Sequence, residues 1–171
     1  DLRVATSDTR DINPALIILA TVLGPMIQEI DSMVVGVALP HMRGQFSAAP
    51  DQISWVLTTF LIGVAVTMPA TGALASRFGR KRILIIAIIG FTLMSVFGAL
   101  ANSLSEIIAI RFVQGCFGAV LTPLSMSTLL DNFHREDHGM ALGWWGVGIM
   151  VAPILGPTVG AFIAEHFTWR G

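Results

Sequence analysis

The sequence carries little charge. Asp, Glu, Lys and Arg together make up 12% of its 171 residues, roughly half the fraction typical of soluble domains. Apolar residues make up 54%, and the mean hydropathy is +0.75. The formal net charge of −1 does not favour a nucleic-acid partner, because such binding relies on clustered positive charge. The composition therefore predicts a chain that lies in a lipid bilayer.

Cysteine is almost absent as well. The single cysteine, Cys116, lies in an apolar run, so the chain can form neither an internal disulfide nor a cysteine metal site. His134 and His138 are four residues apart but fall in a charged link, and we predict no metal site there. The sequence also lacks a phosphate-binding loop and a nucleophile constellation. We therefore expect neither an enzyme nor a bound cofactor.

Long apolar runs dominate what is present, and about 20 such residues cross a bilayer as a helix. They predict an all-α, polytopic membrane fold with five spans, at roughly 14–40, 53–75, 83–102, 105–130 and 140–166. Residues 1–13 are polar with mixed charge and lack the basic start and cleavage site of a signal peptide. We interpret residues 1–13 as a cytoplasmic tail and residues 167–171 as the start of an external loop.

Basic residues are unevenly divided between the two sides of the predicted bundle, and such residues collect on the cytoplasmic side of membranes. One side carries seven of them: Arg3, Arg10, Arg77, Arg80, Lys81, Arg82 and Arg135. The other side carries only Arg43 and Arg170. This asymmetry predicts a cytoplasmic N-terminus and places the end of the fifth span outside.

The most basic segment separates the second and third spans. It reads Gly72-Ala-Leu-Ala-Ser-Arg-Phe-Gly-Arg-Lys-Arg82, and it resembles the loop between the second and third helices of the major facilitator superfamily of secondary transporters. Ser76 stands where that family commonly has Asp, which weakens a charge-pair account of the loop. The resemblance implies a cytoplasmic gate built from six residues: Gly72, Arg77, Gly79, Arg80, Lys81 and Arg82.

The first span contains two acids. An ionisable residue at this depth costs several kcal/mol unless it faces protein or water, so its default interpretation is functional. Glu29 and Asp31 are separated by about 200° around a helix and cannot share a face. Gln28 and Asp31 are three residues apart and can.

The stretch from Gln28 to Pro40 resembles the first-helix motif of the fourteen-span drug:proton antiporters, which places an Asp before a Val-Ala-Leu-Pro ending. Met33 and Gly36 stand where that motif usually has Thr and Asn. The resemblance implies proton coupling by Asp31, with Glu29 as a second candidate. The alternatives are a buried structural role for Asp31 and a structural or interfacial role for Glu29.

The fourth span carries a stripe of small and polar residues at mostly three- and four-residue steps, as on one face of a helix. The stripe consists of Arg111, Gln114, Gly115, Gly118, Thr122 and Ser125. At a rise of 1.5 Å per residue, Arg111 lies roughly 10 Å from the outer start of its span and Asp31 roughly 14 Å from the outer end of its own. Similar depth predicts that the two side chains can meet.

The segment Arg111–Ala119 also resembles the fourth-helix motif of the superfamily, whose Arg is associated with proton transfer in exporters. Because Arg stays charged, such a role acts through a nearby acid. The alternative is that Arg111 only neutralises a buried carboxylate. For the substrate cavity we predict five lining residues: Gln28, Gln114, Gly118, Thr122 and Ser125.

Small residues recur every four positions along the fifth span, a spacing that lets another helix approach closely. The run from Gly156 to Ala161 resembles the antiporter motif of the superfamily, with Ala161 in place of its second glycine. The resemblance implies a surface that seals the contact between the two halves of a transporter, whereas the alternative is ordinary helix packing. Its members are Gly148, Ala152, Gly156, Pro157 and Gly160.

Together the motifs, which extend from about Gln28 to Gly171, identify the chain as a member of the fourteen-span drug:proton antiporter branch and as the N-terminal part of a longer transporter. The resemblance implies efflux of lipophilic or cationic drugs from the bacterial cytoplasm by alternating access, driven by the proton gradient. In a Gram-negative cell it also implies a periplasmic adaptor and an outer-membrane channel as partners. An importer or uniporter with the same fold and a non-transporting membrane scaffold are the alternatives.

Overall fold

The computed structural model describes residues 13–46 and 48–166, with side-chain burial given for all of them except 45, 155–156 and 159–166. The described residues form six α-helices: α1 (Pro14–Phe46), α2 (Pro50–Thr67), α3 (Thr71–Phe78), α4 (Arg80–Leu100), α5 (Leu104–Asn132) and α6 (His138–His166). Short 3-10 turns, Met68–Ala70 and Arg135–Asp137, precede α3 and α6. No strand occurs in these ranges, which confirms the all-α prediction.

Four segments of the described chain are long and apolar enough to cross a membrane: Pro14–Gly44, Pro50–Phe78, Arg80–Leu100 and Leu104–Asn132. They correspond to the first four predicted spans, and the 29-residue α6 corresponds to the fifth. The outer surface is correspondingly apolar. Side chains that are more than 60% exposed include Leu61, Val66, Leu100, Met150 and Ile154, as expected where lipid replaces water as the solvent.

Two predicted boundaries were wrong. The first span does not end at Pro40, because α1 continues through that proline to Phe46; a proline removes one backbone hydrogen bond and disfavours helix without always ending it. The predicted basic loop is also much shorter. Gly79 alone separates α3 from α4, and its φ of 86° lies in the left-handed region that glycine reaches without steric cost. The basic residues that follow it therefore form the first turn of α4.

Helix α5 is the central element, and it packs against α1, α2 and α4, while α6 lies along α1. Glycines allow the closest of these contacts. A Cβ placed on Gly115 would lie 2.2 Å from the Phe60 carbonyl oxygen, and one on Gly63 would lie 2.2 Å from the Phe112 carbonyl oxygen. The backbones of α2 and α5 therefore touch directly, as small residues permit in membrane helices.

Helix α3 continues the span that α2 begins, and successive spans run alternately in opposite directions, so the bundle has two ends. At the Gly79 end lie the start of α1, the α3–α4 turn and the link between α5 and α6. At the Ala101 end lie the links between α1 and α2 and between α4 and α5. Ser103 caps the N-terminus of α5 there. Its Oγ accepts a hydrogen bond from the Glu106 backbone N–H at 3.3 Å, which satisfies an otherwise free donor of the first turn.

Candidate ion-coupling site

Asp31 and Arg111 meet between the antiparallel helices α1 and α5. The Nη1 atom of Arg111 donates to Oδ2 of Asp31 at 2.5 Å. The two side chains are 16% and 10% exposed, respectively. The contact predicted from their similar depth is therefore present. A charge this far from bulk water is stable only when paired and hydrogen-bonded, and each residue supplies the partner for the other.

Gln114 and Ser95 complete a four-membered network around the carboxylate. Arg111 Nη1 also donates to Gln114 Oε1 at 2.8 Å. Gln114 Nε2 donates to Asp31 Oδ1 at 3.1 Å and to Ser95 Oγ at 2.8 Å, and Ser95 Oγ donates to Asp31 Oδ1 at 2.9 Å. Asp31 thus accepts from three side chains on two other helices, α4 and α5. The arrangement matches an ionised carboxylate, which can only accept hydrogen bonds.

Sequence reasoning missed Ser95. Only Thr92 and Ser95 are polar in the stretch from Ile83 to Leu100, and nothing in the sequence tells which of them faces another helix. Thr92 is exposed and bonds back to the Ile88 carbonyl at 2.8 Å, whereas Ser95 points at Asp31. A rare hydroxyl in an apolar span was the available signal.

A cavity of about 220 Å³ opens beside this network. Its polar part is formed by Asp31, Ser95, Arg111 and Gln114, and its apolar part by Val34, Val35, Ala38, Met42, Gly98, Ala99, Ile107 and Ile110. On all three helices the apolar lining residues lie on the Ala101 side of the polar ones. The cavity therefore extends from the ion pair toward the Ala101 end of the bundle.

The predicted substrate-cavity residues are dispersed. Gln114 is only 1% exposed and lines this cavity. Gly118 is packed among Phe60, Phe91 and Gln28, and Ser125 is buried beside Gly24. Most of the α5 stripe is thus covered by neighbouring helices of the described chain and does not form an open cavity wall.

The remaining two members of the predicted set differ from each other. Thr122 is exposed on the surface of the described helices. Gln28 is half-buried beside Gly118, and its buried Oε1 has no hydrogen-bond partner among the described residues. The predicted role of all five residues in substrate binding stays a prediction.

Glu29 stands apart from the network. It is half-buried on α1, and its side chain takes part in no hydrogen bond or ion pair among the described residues. The angular separation deduced from the sequence accounts for this, because the helix that turns Asp31 toward α5 turns Glu29 away. Of the two acids, the structure brings only Asp31 to Arg111.

The predicted gate residues lie around the tight α3–α4 turn. Arg80 forms an ion pair with Asp131 at the end of α5. The basic turn therefore has an acidic partner, although Ser76 stands where the family commonly has Asp. Ser76 instead donates to the Ala73 carbonyl at 2.9 Å. The other gate residues, Gly72, Arg77, Lys81 and Arg82, are exposed.

The predicted sealing residues on α6, which we call the α6 ladder, are Gly148, Ala152, Gly156, Pro157 and Gly160. Among the described residues, its first members face α1. A Cβ on Gly148 would lie 2.8 Å from Val22, and Ala152 is fully buried. A four-residue period advances by about 40° per step around a helix, so successive members turn away from this contact, and Pro157 is exposed. The surroundings of Gly156 and Gly160 lie outside the described side chains, and the sealing role of the ladder stays a prediction.

Comparison with known proteins gives a consistent result. Residues 21–171 match the family model described as Major Facilitator Superfamily. The multidrug export protein EmrB of Haemophilus influenzae is 38% identical over 154 residues, which are 90% of this chain and 30% of that protein. The probable multidrug resistance protein EmrY of Escherichia coli is 36% identical over 151 residues, 88% of this chain and 30% of that protein.

A third relative, the fatty acid resistance protein FarB of Neisseria gonorrhoeae, is 33% identical over 155 residues, 91% of this chain and 31% of that protein. The chain therefore spans about 30% of the length of these relatives. The family match covers most of the chain, and the long apolar helices agree with it. The chain belongs to the major facilitator superfamily, and its long apolar helices are those of a multi-pass membrane protein.

Proposed function

We propose that the protein containing this chain exports lipophilic or cationic drugs in exchange for protons, by alternating access across the bacterial inner membrane. The observation that carries the proposal is the network around Asp31, in which Arg111, Gln114 and Ser95 all donate to one carboxylate. Two of the relatives are named for multidrug export or resistance, which supports drugs as the substrate class.

The network supplies a physical basis for coupling. Arg111 stays charged, so the proton is carried by the acid that faces it. Arg111, Gln114 and Ser95 donate to Asp31, and these hydrogen bonds hold its carboxylate against α4 and α5. In the proposed cycle, a proton taken up by Asp31 neutralises its charge, and α1 moves against α5 as these donors are withdrawn. Binding and release of a proton are thereby linked to helix movement.

The orientation is part of the proposal. The Gly79 end of the bundle carries the exposed cations of the α3–α4 turn, and basic residues collect on the cytoplasmic side. We therefore assign this end to the cytoplasm and the Ala101 end to the outside. The Arg80–Asp131 ion pair then ties the cytoplasmic turn to the end of α5, which suits a gate that opens when α5 moves.

An energetics experiment tests the proposal. The full-length transporter, in inside-out vesicles, is given a fluorescent lipophilic cation and an imposed gradient with protons concentrated inside. We expect uphill accumulation of the dye that collapses when a protonophore dissipates the gradient. Transport that only equilibrates the dye and ignores the protonophore would contradict coupling and favour a uniporter.

A further inference from the structure

We propose that the cavity beside Asp31 is a hydrated proton-access vestibule, entered from the Ala101 end between α1, α4 and α5. Protons would then reach the acid along the space between these three helices. The inference rests on the proton coupling proposed above. It adds the route by which protons reach Asp31 and the ligand of the cavity, which is water that carries protons.

The chemistry of Arg111 favours water in this cavity. Its Nη1 donates to Asp31 and Gln114, and its Cζ lies 6.0 Å from the centroid of the Phe60 ring, whereas its other N–H groups have no oxygen acceptor among the described residues. Charged donors shielded from bulk water are rarely left without acceptors. The cavity that Arg111 lines, about 220 Å³ in volume, has room for several water molecules, since one needs on the order of 10–15 Å³.

Close packing of apolar side chains blocks the path from the Gly79 end to the network. Between the network and the Gly79 end lies a continuous apolar cluster that includes Phe91 and Leu121, each 1% exposed, with Val120 and Leu124 at 4%. Gly24 fits against Leu121 and Ser125 in the same region. A proton arriving from the Gly79 end through this half would therefore cross a dry, closely packed layer.

The path toward the Ala101 end is also narrow, but a flexible side chain lines it. Met42, Ala101 and Ile107 are at most 4% exposed and belong to one cluster, and Met42 and Ile107 also line the cavity. Methionine is unbranched and flexible, so a small displacement of Met42 suffices to admit water. We infer that Met42 and Ile107 form the mouth of the vestibule.

Thiol accessibility tests the vestibule independently of transport. In the full-length protein with its native cysteines replaced, Ala99→Cys places a thiol on the cavity wall. Ala87→Cys is the matched control, three turns away on α4 and 2% exposed in the apolar cluster. A small charged methanethiosulfonate added from outside should modify Ala99→Cys more than about tenfold faster, because the reaction requires a hydrated thiolate.

A second pair of variants tests the route. A Cβ on Gly98 would meet only Ile110, at 3.8 Å, so Gly98→Ala fits with little change, whereas Gly98→Leu fills part of the cavity. We expect Gly98→Leu to slow proton-driven export about tenfold or more relative to Gly98→Ala, a barrier change of about 1.4 kcal/mol, and to leave dye binding to the purified protein unchanged.

Three results would overturn the vestibule. They are equal labelling of Ala99→Cys and Ala87→Cys, labelling of Ala99→Cys only from the cytoplasmic side, and normal export by Gly98→Leu. None of these would affect the proton coupling itself, which fails only if transport is independent of the proton gradient.

Discussion

At the scale of single residues, the pair at the centre of the site was predictable and its surroundings were not. Asp31 and Arg111 lie at similar depths along two antiparallel helices, and this similarity was enough to predict their contact, although Glu29 lies nearer the middle of the first span. Ser95 was missed because its role depends on the rotation of α4 about its own axis. That rotation is fixed by contacts such as Gly90 against Phe117, which are not visible in one sequence.

Ser95 gives the first prediction. Ser95→Ala removes one of three donors to Asp31 and one acceptor of Gln114, and a hydrogen bond to a charged group contributes about 1.5–3 kcal/mol. We expect proton-driven export by Ser95→Ala to fall about tenfold in initial rate, and Ser95→Thr, which keeps the hydroxyl, to restore most of it. Equal rates for Ser95→Ala and the wild type in the vesicle assay would show that the hydroxyl is dispensable.

At the scale of elements, the length of the apolar runs predicted every long helix, and the errors in helix boundaries occurred at a proline and a glycine. Pro40 did not end α1, and Gly79 compressed an expected seven-residue loop to one residue. The stripe on α5 was predicted to form a cavity wall, and that role stays a prediction. Much of it contacts α1, α2 and α4, because small residues serve close helix packing as readily as they line a cavity.

The contact between α2 and α5 yields a stability prediction. Gly115→Ala would place a Cβ 2.2 Å from the Phe60 carbonyl oxygen, so the two backbones must separate, and overpacking of this kind costs about 1–3 kcal/mol. We expect a clear fall in the thermal unfolding midpoint of the detergent-purified protein.

Gly143→Ala on α6 is the matched control, because no atom lies within 4 Å of its added Cβ. Alanine also has the higher helix propensity, so this variant should melt at or above the wild-type temperature. Identical melting of the two variants would mean that α2 and α5 do not approach as closely as described.

At the scale of the whole molecule, the prediction of a polytopic helical fold of this superfamily was confirmed, because it rested on properties summed over many residues. Hydropathy, span length and motif order do not depend on any one side chain. The predicted sealing role of the α6 residues could not be derived in the same way, and it stays a prediction. Its first two members, Gly148 and Ala152, pack against other described residues.

Topology gives a prediction at this scale. In a background without native cysteines, Ala49→Cys at the Ala101 end and Ser76→Cys near the Gly79 end are both exposed. The Gly79 end carries five exposed basic residues among the described ones: Arg77, Arg80, Lys81, Arg82 and Arg135. Because basic residues collect on the cytoplasmic side, an impermeant maleimide added to intact cells should label Ala49→Cys and spare Ser76→Cys. The reverse labelling pattern would mean that the orientation is inverted and that the vestibule opens to the cytoplasm.

The central claim is that Asp31 couples proton movement to transport, and Asp31→Asn in the full-length protein tests it most directly. The amide keeps the size of the carboxylate but cannot carry the proton, so we predict loss of uphill, gradient-driven dye export with retention of dye counterflow at equal pH. Glu29→Gln, which alters the acid outside the network, should retain both activities. Uphill export by Asp31→Asn at the wild-type rate would contradict the account and remove this carboxylate from the coupling mechanism.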